Sequence, residues 1–129
     1  MKKFILAILI TLTFMPTMNA QTPNTFKGKM LRHVVLFKFK DDASAADIKK
    51  VESAFIKLPS QIKEIKGFEW GTNNSPENLN QGFTHSFFLS FNSEKDRAVY
   101  LPHPAHKAFG KLLGPYLDNV LVIDYWTKD

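Results

Sequence analysis

Four histidines, His33, His85, His103 and His106, carry most of the chemical potential of this chain, and Tyr100 lies close in sequence to two of them. Imidazole ordinarily titrates near neutrality, so it can take up or release a proton around pH 7. His106 has the best placement for that. Pro104 suits the first position of a helix, which sets His106 in the first turn and His103 beside the cap. The positive end of the helix dipole disfavours a charged imidazole there, and a neutral one is competent as a general base. Tyr100, a turn or so before the proline break, can donate a hydrogen bond to a developing enolate oxygen. The pair fits proton removal beside a carbonyl. The same His-Pro-Ala-His run also reads as a device that only caps and staples a helix junction. His33 and His85 each share a strand face with bulky apolar residues, so the two either meet in one polar pocket or serve separate structural roles.

Other chemistries find less to work with. Cysteine is absent, which removes disulfides, thiolate metal sites and cysteine nucleophiles. His103 and His106 are three apart, but prolines restrict the backbone there and no carboxylate stands at ligand spacing, so no metal is called for. The formal charge is +5. Removing Lys2 and Lys3 from the seventeen basic residues leaves fifteen against twelve acidic ones, a balance near +3 with no basic cluster. Nucleic-acid binding, which needs clustered Lys and Arg, is not expected.

The elements that must position these residues follow from periodicity. His33, Val35, Phe37 and Phe39 alternate with Val34, Leu36 and Lys38, and both sets are mainly apolar, so this strand is covered on both faces. Ser44 with Asp47 is a variant capping box, and Ile48, Val51, Phe55 and Leu58 recur at helical spacing up to a stop at Pro59. Phe68 to Thr72 is a second strand, residues 73–82 a loop rich in Asn, Ser, Pro and Gly, and Phe83 to Phe91 a third strand. Ser93 caps a second helix with Val99, Tyr100 and Leu101 on its inner side. Pro102-His103-Pro104 breaks it, Ala105 to Leu113 forms another, and Val120 to Trp126 is the last strand.

This order is the ferredoxin-like β-α-β-β-α-β pattern, an α+β fold with a four-stranded antiparallel sheet and helices on one face. The other face needs cover. Val34, Leu36 and Phe88, with Trp126 or Val122, are expected on it, and a second copy of the sheet closing a barrel is the simplest cover. The chain is thus expected to be a homodimer.

The first twenty residues read as a secretory signal peptide: Lys2 and Lys3, an apolar run from Phe4 to Phe14, Pro16, and the small Ala20 before Gln21. The run is short for a membrane span. Residues 21–29 are a polar, flexible lead-in, and 30–129 form one domain.

Specific residues carry a family likeness. Leu31-Arg32-His33-Val34-Val35-Leu36-Phe37-Lys38-Phe39-Lys40, Trp70-Gly71, Phe83-Thr84-His85, Tyr100-Leu101-Pro102-His103-Pro104-Ala105-His106 and Asp124-Tyr125 occur in order. Together, over residues 31–126, they resemble the stress-responsive A/B barrel domain (Dabb) family of dimeric α+β barrels. The resemblance implies a ferredoxin-like homodimer. One plant branch of that family closes polyketide rings by aldol condensation with a histidine base and a tyrosine. By motif those positions fall on His106 and Tyr100, with His33, His85 and His103 as substrate-pocket histidines. The chain departs from that branch in its export segment, its first-helix region and its 73–82 loop.

Two readings follow. One is an exported (periplasmic or secreted) Dabb homodimer whose small-molecule pocket performs lyase or cyclase-type chemistry with a histidine base and a tyrosine. The other is a non-catalytic, stress-related or ligand-binding homodimer that uses the same pocket. A haem or oxygenase activity, as in other dimeric α+β barrels, finds no distinctive ligand context. Neither reading calls for a cofactor, and neither requires a membrane once the signal is removed.

Overall fold

The computed structural model describes residues 28–128. The expected signal peptide and most of the lead-in lie outside the described residues. β1 (Leu31–Phe39) has strictly alternating burial, with Leu31, His33, Val35, Phe37 and Phe39 inward. Ser44, in extended conformation, starts α1 (Ala45–Gln61) by accepting the Asp47 N–H at 3.1 Å. β2 (Gly67–Thr72) and β3 (His85–Phe91) follow, then α2 (Glu94–Tyr100), α3 (Pro104–Leu113) and β4 (Leu117–Trp126). The strands are antiparallel in the order β2-β3-β1-β4. This is the expected ferredoxin-like sheet, with its helices on one face. Among the described residues no helix is long and apolar enough to cross a membrane.

Three expectations need correction. α1 does not stop at Pro59 but runs through it to Gln61. The proline sits in the last turn, so it forfeits a single backbone bond, and burial of Leu58 and Ile62 on either side holds the turn in place. Of the three residues assigned to the inner side of α2, only Tyr100 is buried; Val99 and Leu101 are exposed, because so short a helix presents one residue per turn to the sheet. Val122 and Trp126 are not on the open face. They pair with Val35 and Leu31 and share their parity, while Leu121, Ile123 and Tyr125 join Leu36, Val34 and Arg32 on the open face.

Between helices and sheet the core is a stack of phenylalanines. Phe55 of α1 lies flat on Phe87 of β3 with centroids 4.0 Å apart, and Phe109 of α3 meets Phe55 edge-on at 4.8 Å. Phe37 of β1 tilts onto Phe87 at 5.2 Å. Burying each ring contributes roughly 1.5–3 kcal/mol, and ring geometry adds directional preference. The stack fixes α1 and α3 over β1 and β3, so the corner between α2 and α3 falls over the Leu31 end of β1. β4, at the sheet edge, is left uncovered: Val120, Leu121, Val122 and Ile123 are each at least 40% exposed.

Candidate functional site

His33 stands on the helix-covered face of β1 and is 5% exposed. Asp124 is its direct partner on β4, and Asp124 Oδ1 lies 2.5 Å from His33 Nδ1. The other carboxylate oxygen of Asp124 accepts Nη1 of Arg97, from α2, at 2.7 Å. An ionised carboxylate can only accept, so Nδ1 of His33 carries the proton and Nε2 keeps its lone pair. Burial pushes the His33 pKa below its ordinary value; Asp124 opposes that shift, and His106 and Arg97 add to it.

Tyr100 closes α2 directly beside this pair. Its ring is 1% exposed, meets His33 edge-on at 5.6 Å, and packs on Phe91 at 5.2 Å and on His106 at 4.3 Å. Burial, helped by Asp124, raises the phenol pKa far above its usual range. Tyr100 therefore stays protonated and can act only as a hydroxyl, not as a phenolate.

The chain reaches His106 through the proline-flanked corner. The Tyr100 carbonyl accepts the His103 N–H at 3.1 Å, and His103 Nδ1 accepts the Ala105 N–H at 3.1 Å, making His103 the cap of α3 with Pro104 at its first position. His106 thus falls in the first turn, as expected, and its Nδ1 donates to the Leu101 carbonyl at 2.9 Å. A carbonyl accepts only, so Nδ1 of His106 carries a proton, and in the neutral ring Nε2 is the acceptor. Two imidazoles, each with Nδ1 anchored and with no hydrogen bond to Nε2 among the described residues, are in ring contact with one buried phenol.

His33, Tyr100 and His106 therefore come together, and His103 serves as their helix cap. His85 lies elsewhere. It pairs with Phe37, whereas His33 pairs with Leu89, four residues further along β3 and about 13 Å away at strand spacing. Its Nε2 meets Glu52 Oε1 of α1 at 3.1 Å, its Nδ1 meets Thr84 Oγ1 at 2.9 Å, and Trp70 stacks over it. Although burial of Glu52 works the other way, hydrogen bonds from His85 and Lys49 hold its carboxyl below the usual range. Of the two arrangements left open for the strand histidines, the structure has them in two separate groups, because equal parity fixes the face but not the position along the strand.

Asp124 and Arg97 were not picked out from sequence. Asp124 sits in a recognisable Asp-Tyr pair, but its role emerges only from the β1–β4 register. Nothing in the sequence pattern around Arg97 marks it. A groove of about 510 Å³ between α1 and α3, and a cavity of about 410 Å³ on the open sheet face under the 73–84 loop, are lined by neither Tyr100 nor His106. Among the described residues no group of three or more His, Cys, Asp or Glu side chains is arranged to hold a metal ion.

Fold and site together define a ferredoxin-like α+β domain with a histidine–tyrosine cluster between sheet and helix corner. Residues 31–127 match the Stress responsive A/B Barrel Domain family (Dabb), and the chain belongs to it. It is 42% identical over 95 residues to the stress-response A/B barrel domain-containing protein HS1 of Arabidopsis thaliana, covering 74% of this chain and 87% of that one. It is 28% identical over 98 residues to the olivetolic acid cyclase of Cannabis sativa, covering 76% of this chain and 97% of that one. Among solved structures, the hydroxynitrile lyase of Passiflora edulis superposes with a TM-score of 0.73 at 26% identity, covering 78% of this chain and 94% of that one. A dimeric ferredoxin-like protein of unknown function from Bacteroides fragilis superposes with a TM-score of 0.63 at 29% identity, covering 76% and 96%.

The depressed His33 pKa has a consequence for stability. Below its ordinary value of 6.5 the unfolded chain binds a proton that the folded chain still refuses, so stability falls as pH falls from there. Urea midpoints measured from about pH 7.5 down to 5 should drop more steeply for the native protein than for His33→Gln. Parallel curves would show that His33 is not held neutral by the fold.

Proposed function

We propose that this chain is an exported homodimer that binds a small carbonyl-containing molecule and moves a proton at the carbon beside the carbonyl, in a lyase- or cyclase-type reaction. The observation that carries the reading is the pair of imidazoles, each anchored through Nδ1, in ring contact with the Tyr100 phenol. His106 is partly exposed and serves as the proton acceptor. His33, more deeply buried, accepts a hydrogen bond from a substrate hydroxyl through Nε2. Tyr100, kept protonated by burial, donates to the oxygen that gains charge as the proton leaves. A relative named a cyclase and a structural neighbour named a hydroxynitrile lyase support a lyase- or cyclase-type role on a small molecule.

A non-catalytic ligand-binding role has its own support in how tightly Tyr100 and His33 are packed, at 1% and 5% exposure. The two readings separate on substitution. Turnover of a panel of simple and linear polyketide-like ketones should be lost in His106→Ala and should fall by about 10²–10³ in Tyr100→Phe, which removes only the hydroxyl. Turnover unchanged in both variants would take the chemistry away from His106 and Tyr100, and its absence from the native protein across the panel would favour binding alone.

The dimer is supported by the open sheet face, where Leu121, Ile123 and Tyr125 are 40–51% exposed beside Val34, Leu36 and Phe88. A monomer rarely leaves so continuous an apolar face in water, and relatives described as dimeric share the fold. Export is supported by Lys2-Lys3, the apolar run and Ala20. Expressed in a Gram-negative host, the protein recovered outside the cytoplasm should begin at or near Gln21 and scatter light as a dimer, and Ile123→Glu should dissociate or aggregate it. An intact N-terminus at the inner membrane would refute cleavage, and a stable monomer at micromolar concentration would refute the barrel.

A further inference from the structure

Arg97 sits on α2 one helical turn before Tyr100, and its guanidinium crosses to β4. The side chain is 25% exposed, the Asp124 side chain 27% and the His33 side chain 6%, so the three form a chain from half-wet guanidinium to dry imidazole. Asp124 alone beside His33 would have two ways to undermine the site. An unshared carboxylate 2.5 Å from an imidazole favours the doubly protonated ring. A carboxylate held by one oxygen could also swing on its own bond and release the ring to its other tautomer. Arg97 removes both options, because it neutralises the carboxylate charge and pins the second oxygen.

We propose that Arg97 is a positioning residue of this site: by clamping Asp124 from α2 it fixes His33 as the Nδ1–H tautomer, with Nε2 as its bare acceptor. The proposal rests on the reading of His33 as a ligand-contacting group. The same contact couples the α2 corner that carries Tyr100 to the strand that carries Asp124, so phenol and imidazole are set relative to each other by one ion pair. The groups that act electrostatically on His33 are Asp124 from β4, Arg97 from α2 and His106 from α3, with the neutral Tyr100 packed against it. A second tie between α2 and β4, Trp126 Nε1 to Glu94 Oε1 at 3.4 Å, touches neither His33 nor Asp124. It therefore supplies a control for a purely structural role.

Long-range 1H–15N correlation spectra of the 15N-labelled protein read tautomer and protonation of each histidine directly, without any substrate. The native protein should show His33 protonated on Nδ1 alone at pH 7. In Arg97→Met and in Arg97→Gln, which keeps an N–H for Asp124 but no charge, the His33 titration midpoint should rise by about one pH unit or more. Its two nitrogen signals should move toward each other as the tautomers mix. Glu94→Gln should leave both readings unchanged. A folded Arg97 variant with native His33 signals and midpoint overturns the proposal. Loss of the fold in both Arg97 variants also overturns it, because the residue would then be structural. Absence of turnover on every carbonyl probe would remove the proposed reaction while leaving these spectra to stand or fall independently.

Discussion

A histidine in the middle of a helix-covered sheet face is a polar group taken out of water, and it must be hydrogen-bonded or neutral to be tolerated there. His33 is both. Its Nδ1–H goes to Asp124, directly across the β1–β4 ladder, and burial keeps the ring from charging. Much of the architecture follows from that requirement. β4 must pair in a register that puts Asp124 opposite His33, because a slip of one residue would turn the carboxylate to the open face. α2 must end over the same spot so that Arg97 can share the carboxylate and Tyr100 can close the ring in.

The corner between α2 and α3 solves a second problem with few residues. Prolines on both sides of His103 end one helix and start the next, and His103 supplies the cap that α3 needs. His106 is thereby delivered one turn later with its Nδ1 tied to the Leu101 carbonyl, the last carbonyl before the break. The helix ends are satisfied by the same groups that orient the site. At the other end of the face His85 is committed on both nitrogens, to Glu52 and Thr84, and ties α1 to β3. The two histidine groups lie four residues apart along β3, with Phe87 of the phenylalanine stack between them.

Much of this was legible in the residues. Alternation in residues 31–39 and the Ser44 and Ser93 caps gave the layer order, and the Pro-His-Pro break divided α2 from α3 as found. Pro104 correctly set His106 in a first turn. What failed depended on pairing. Period-2 alternation gives each strand two faces but does not say which set of β4 matches which set of β1, so Val122 and Trp126 were placed on the wrong face. The same gap hid Asp124, whose role exists only through its cross-strand neighbour, and Arg97, whose partner lies 27 residues away in sequence. Pro59 misled for a different reason. A proline in the last turn forgoes one bond, and buried neighbours can outweigh that where a mid-helix proline would break the element.

If the His33–Tyr100–His106 cluster moves a proton beside a carbonyl, as proposed, the transfer can be watched without knowing the natural substrate. Simple ketones and hydroxyketones incubated with the protein in D2O exchange their α-protons if a base reaches them, and 1H NMR records the loss of signal. Exchange above the buffer rate is expected for at least one probe with the native protein, abolished in His106→Ala and strongly slowed in Tyr100→Phe. Exchange that is equal in native protein and His106→Ala, or no faster than buffer for every probe, would contradict it.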